Sequence, residues 1–276
     1  MARPFFIILL LATLVSGHAQ PSNSAIEEFR KKLAEAKSAE ERVDALGGLS
    51  RLYVNENFAA SDSIGRKMIE EAEMSRNRKL MAEALLVNGE RNSYLATRKE
   101  NFTKAVDFYN RALELSKQNK LDKETARSYL SLSAVYRMAP DADKAFAYVN
   151  QALSYITILD NDSLKALVHI ELGNVYGLKR EKLLSLRSYL TALRIAEDLK
   201  NAGLKRASYN ALISFYSAIE EYDKAIDYAV KAMNMLEEIK EGQSPYNKPI
   251  ALNAIAGLYA QKKNYEMANF YYQQSV

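Results

Sequence analysis

The chain has 276 residues, 48% hydrophobic and 26% charged, a composition of folded protein whose length fits one extended domain or two compact ones. Its 38 Lys and Arg alternate with 34 Asp and Glu, as in Glu27, Glu28, Arg30, Lys31 and Lys32, so no one-sign stripe is offered to nucleic acid. The absence of Cys excludes disulfide stapling, and only 5 Pro and 10 Gly favour helices joined by short links over a many-turned sheet.

Residues 1–19 read as a signal peptide. Arg3 precedes an uninterrupted apolar run from Phe5 to Val15, and Gly17 and Ala19 supply small residues ahead of a cut before Gln20. The run is too short for the ~20 residues of a bilayer span, and no Cys follows it to carry a lipid. The pattern predicts an exported protein, periplasmic or extracellular in a bacterium, with no membrane span within residues 20–276. Residues 20–39 read as a helical lead-in.

From residue 40 onward the chain repeats itself. LSAVYRMAPDADKAFAYVNQALSY (132–155) aligns with LGNVYGLKREKLLSLRSYLTALRI (172–195) and LISFYSAIEEYDKAIDYAVKAMNM (212–235), a period of forty. Tyr136, Tyr176 and Tyr216 are each followed by a small residue, Ala145, Ser185 and Ala225, and then by Ala152, Ala192 and Ala232. Tyr259, Ala268 and Ser275 restate the frame after an insertion in the Gly242 to Pro249 connection. Upstream, Tyr53, Tyr94, Ala105, Tyr109 and Ala112 continue it with slippage, and around Asp62 to Ala72 both Ile64 and Gly65 compete for the small position. The seven-residue spacing puts two small residues on one stripe of one helix, where a neighbouring helix can approach closely. Leu or Ile four residues before each Tyr shares that residue's helix face. Each unit is then two antiparallel helices, with Pro140 breaking one and Asp141 capping the next. The ladder tyrosines at 53, 94, 136, 176, 216 and 259 are expected to pack between helices.

These residues resemble the tetratricopeptide repeat family, with Leu172, Gly173 and Tyr176, and Tyr222, Ala225 and Ala232, as the best matches. The resemblance implies an all-α fold, an α-solenoid of about five to six stacked antiparallel helix pairs, over most of residues 40–276. Three features depart from the family pattern. Tyr129, His169, Tyr209 and Leu252 stand where Trp is usual, the closing Pro is absent, and the period exceeds the usual ~34 residues.

A helix pair of this kind buries its apolar face only by stacking, which leaves the first helices to form one concave surface. The resemblance implies a non-catalytic scaffold that binds a peptide or protein segment there. Arg137, Asn174, Asn210, Ser214 and Asn253 lie about one turn from the packing stripe and are the candidate groove residues, since an amide both donates to and accepts from a peptide backbone. Leu130, Ile170 and Ala211 interrupt the Lys and Asn arrangement by which some members of the family clamp a terminal carboxylate.

Catalytic chemistry finds little to work with. Once His18 leaves with the signal, His169 is the remaining histidine, at a helix-packing position, so triads and His/Cys zinc sites are hard to assemble. Glu220 and Glu221, or Glu237 and Glu238, are helix neighbours whose side chains point apart, and Gly47-Gly48 lacks the Lys of a phosphate loop. No cofactor, no metal and no enzymatic activity are expected. The last repeat, NYEMANFYYQQSV, carries its signature to Ser275 and then stops, with Phe270, Tyr271 and Val276 expected to be partly uncovered. An alternative reading follows: the array is the extracytoplasmic sensor part of a larger receptor, continued past Val276 by a membrane helix and a signalling domain.

Overall fold

The computed structural model describes residues 23–54, 56–237 and 248–275, which hold thirteen α-helices and no strand. The segment read as a signal peptide, most of the Gly242 to Pro249 connection and Val276 lie outside the described residues. A lead-in helix, α1 (Asn23–Glu35), is followed by twelve more. These are α2 (Ala39–Tyr53) with α3 (Phe58–Met74), α4 (Arg78–Ser93) with α5 (Lys99–Gln118), and α6 (Asp122–Met138) with α7 (Ala142–Ile156). Then come α8 (Asp162–Leu178), α9 (Lys182–Asp198), α10 (Ala202–Ala218) with α11 (Tyr222–Glu237), and α12 (Lys248–Gln261) with α13 (Tyr265–Gln274). The fold is all-α and of the stacked helix-pair, α-solenoid class. First helices begin at residues 122, 162 and 202 and second helices at 142, 182 and 222, so the forty-residue period of the sequence is the spacing of the pairs. Two compact units result, an N-terminal one from Pro21 to Lys179 and a C-terminal one from Arg180 onward.

Helix starts are set by side chains that accept the first unpaired backbone N–H groups. Ser38 and Glu41 form a capping box on α2, at 3.1 and 3.2 Å. Asn57, Asn77, Asn161, Asn201 and Asn264 cap α3, α4, α8, α10 and α13, and Asp141 accepts from the Lys144 N–H at 3.1 Å as its sequence position suggests. Helix ends are as regular. Four residues after the ladder tyrosine, Arg180, Glu220 and Lys263 take φ near 64°. The next N–H, of Asp141, Glu221 or Asn264, then donates back to the carbonyl of Tyr136, Tyr216 or Tyr259 at 2.9 to 3.0 Å. A left-handed residue followed by this long backward bond closes a helix by satisfying a last-turn carbonyl.

Within the N-terminal unit, Tyr129 meets Tyr155 and Tyr136 stacks on Tyr148, so a step up α6 matches a step down α7 and the pair is antiparallel. Tyr216 on Tyr228 and Tyr259 on Tyr271 repeat the stacked contact in the C-terminal unit, at centroid separations of 5.8 and 5.4 Å. Offset stacking of this kind adds to area burial. The apolar partner of each ladder tyrosine, Leu132, Leu172, Leu212 or Ile255, is buried. The first small position is buried in every pair, at Gly65, Ala105, Ala145, Ser185, Ala225 and Ala268. Gly65 rather than Ile64 takes it on α3, because a Cβ there would collide with the Asn88 amide oxygen. Tyr129, Tyr209 and Leu252 are buried where Trp is usual, and His169 is half-buried.

One ladder position is corrected. Tyr94 is 58% exposed, not packed between helices, because α4 ends at Ser93 and the ring leaves with the chain. Tyr109 on α5 does the packing instead, 2% exposed, with its ring against the bare Gly89 backbone. Burial pushes its hydroxyl above the ordinary phenol range, while a 3.4 Å bond to Ser93 acts weakly the other way. A raised phenol favours the folded state fully below the unfolded value of ~10, and that stability is lost as pH climbs from there toward the folded value. At pH 11 the loss from this group is expected to be on the order of 1 kcal/mol. Urea midpoints at pH 8 and pH 11 should therefore fall further apart for the parent than for Tyr109→Phe. Equal gaps would remove Tyr109 from the account.

Candidate functional site

The first helices carry all five of the residues singled out from the sequence. In the N-terminal unit, Arg137 occupies the last turn of α6 and Asn174 lies on α8, both half-buried. They converge on a third residue that the sequence reading passed over. Glu171, with its side chain 7% exposed, accepts the Arg137 Nε–H at 3.0 and 3.2 Å and the Asn174 amide at 3.1 Å. The Ser133 hydroxyl, 3.0 Å from Glu171 and 2.9 Å from the Ala145 carbonyl, shares its one proton between them. A buried carboxylate is tolerated only when paired and hydrogen-bonded, and these three partners supply both. The signal for Glu171 was present in the sequence, since it sits on the stripe of Val168, Leu172 and Val175, which are all buried. An acid inside an apolar stripe implies a partner from another helix.

In the C-terminal unit, Asn210 and Ser214 sit one turn apart on α10, both half-buried. Asn253 on α12 is exposed, and its amide oxygen accepts from Ser275, just after α13, at 2.7 Å. Glu171 gathers Arg137 and Asn174 within the N-terminal unit, while Asn210 with Ser214 and Asn253 with Ser275 form local groups within the C-terminal unit. Phe270 is 48% exposed and Tyr271 half-buried.

A second polar assembly lies between α3 and α4. Arg91, 4% exposed, pairs with Asp62 and donates to the Asn88 amide oxygen at 3.1 Å, while Asn88 donates to the Gly65 carbonyl at 3.0 Å. Burial works against the Asp62 charge, but the hydrogen bond and charge of Arg91, with Arg66 behind them, outweigh it and hold the carboxyl below its usual range. This assembly is interior and ties the two helices together.

On the solvent side of the same unit, α2, α4 and α6 enclose a pocket. Glu40, Asp44 and Arg51 come from one stripe of α2, Glu83 and Val87 from α4, and Arg127 from α6, over a floor of Val43, Gly47 and Met68. Repeat-spaced reasoning missed it because the register slips upstream of Tyr136. Among the described residues no group of three His, Cys, Asp or Glu is arranged to hold a metal, and no helix is long and apolar enough to cross a membrane.

Residues 84–157 match the tetratricopeptide repeat family model. No curated protein matches the chain in sequence. Solved structures share its fold. A signal transduction ATPase with numerous domains, bearing a tetratricopeptide repeat sensor, from Pyrococcus horikoshii superposes with a TM-score of 0.61 at 18% identity, over 98% of this chain and 40% of that one. A Rap protein complexed with competence and sporulation factor gives 0.60 at 18% identity, over 97% of this chain and 74% of that one. NprR in complex with its cognate peptide NprX gives 0.56 at 15% identity, covering 98% and 76%. At these identities the likeness is one of fold.

Proposed function

We propose that this tetratricopeptide repeat protein is a binding scaffold without catalytic turnover, which takes up a peptide or protein segment along its first-helix faces outside the cytoplasm. The observation that carries the reading is the assembly on Glu171. It holds a guanidinium and an amide on one carboxylate, from consecutive first helices, two groups of the kind that recognise a peptide backbone. The peptide bound by NprR, on a similar fold, supports the ligand class. The apolar run from Phe5 to Val15 behind Arg3 supports export.

The test is capture of peptides from a periplasmic extract on the immobilised chain, compared with the variant Asn174→Ala, Asn210→Ala, Asn253→Ala. Each lost amide bond is worth ~1 kcal/mol, so capture should drop roughly tenfold or more. Undiminished capture removes those residues from the site, and no captured peptide ends the proposal. A second reading, a sensor portion of a larger receptor, is favoured by the tetratricopeptide repeat sensor of the Pyrococcus horikoshii protein, of which this chain covers 40%. About 20 apolar residues and an output domain encoded after Val276 would support it, and a stop codon would sink it.

A further inference from the structure

We infer that the pocket between α2, α4 and α6 receives a Lys or Arg side chain of the bound segment. The inference rests on the peptide-binding reading above and gives it a chemical preference. The floor is apolar. Val43, Met68 and Val87 are each 4% exposed or less, and Gly47 presents no side chain, so the Met68 thioether methyl rises to within 3.3 Å of where a Cβ would stand.

The rim is charged and uncompensated. Glu40, Asp44 and Glu83 have no hydrogen bond or ion pair among the described residues. The other lining carboxylate, Glu41, is held at 2.6 Å by the Lys37 N–H and by the Ser38 cap. Of the two cations, Arg51 is neutralised by Glu90 at 3.1 Å, which leaves Arg127 against three carboxylates. An apolar floor under an acidic rim is the environment of a long cationic side chain, whose methylenes lie on Met68 and the valines while its head reaches the carboxylates. An acidic or phosphorylated segment meets like charge here, and an apolar side chain would cover three carboxylates without pairing any of them.

The experiment is selection of a phage-displayed random dodecapeptide library on the full chain and on the variant Asp44→Asn, Glu83→Gln. Both substitutions keep side-chain shape and sit on the pocket rim, and an unchanged circular dichroism spectrum verifies folding. The expected result is enrichment of Lys and Arg on the parent and its loss on the variant. A selected peptide in which norleucine replaces the enriched Lys should bind the parent at least tenfold more weakly, read by fluorescence anisotropy. Enriched peptides without basic residues, or the same basic peptides on both proteins, overturn the inference and leave the peptide-binding function standing. No enriched peptide on either protein overturns both.

Discussion

Replacing Glu171 by Ala is expected to lower the unfolding free energy by ~3 kcal/mol, read as a shift of the urea midpoint at an unchanged slope. The carboxylate is 7% exposed and answers three donors from α6 and α8. Without it, Arg137 keeps its charge but loses the Glu171 carboxylate as an acceptor. Arg137 is 32% exposed and can turn part of its guanidinium to water, and Ser133 retains the Ala145 carbonyl, which places the cost at the lower end for a broken buried pair. Glu171→Gln keeps an acceptor without the charge and should cost about half as much. Arg137→Ala leaves the acid buried and uncompensated, so the double variant should be less destabilised than the two single effects predict when added, with a coupling of roughly 1–3 kcal/mol. Full additivity would mean that the two residues do not act as a pair. Because Asn174 is held by the same carboxylate, peptide capture should fall along with stability.

The helix-pair architecture was legible in the sequence because its signal is local and repeated. Small residues seven apart, an apolar residue four before each Tyr, and Asp141 after Pro140 all act within one helix or one turn, and the structure has them where the register puts them. Gly65 shows where such reasoning stops. Composition left it level with Ile64, and the Asn88 amide on the next helix decides the matter. Tyr94 failed for a related reason, since α4 ends just before it whereas α6, α8 and α10 run two residues past their tyrosines, and the buried ring of this pair is Tyr109 on α5. The candidate site was legible as positions but not as chemistry. Arg137 and Asn174 were found from their offset, yet what organises them is an acid whose partners Ser133 and Arg137 lie 38 and 34 residues away. The pocket under Asp44 and Glu83 draws on four helices, α2, α3, α4 and α6, in the part of the chain where the repeat is least regular.

Substituting Ala for Gly should have opposite signs at two helical positions. At Gly89 on α4 a Cβ would lie 2.6 Å from Cδ1 and 2.9 Å from Cζ of Tyr109. That ring is 2% exposed, sits between Ala105 and Ala112 on α5, and has no open side to move into. Relief requires α4 and α5 to separate, which gives up the contact that the small residues exist to allow. The expected cost of Gly89→Ala is ~2–3 kcal/mol, after the ~1 kcal/mol that Ala gains over Gly inside a helix. At Gly257 on α12 nothing lies within 4 Å of the added methyl, so the propensity gain stands alone and Gly257→Ala should stabilise by up to ~1 kcal/mol. Thermal midpoints of the two variants should therefore move to either side of the parent. The pair also separates packing from propensity. If both variants gained stability, the Tyr109 ring would have to be free to yield, and its raised hydroxyl pKa, which depends on the same close burial, should return toward the ordinary value in Gly89→Ala.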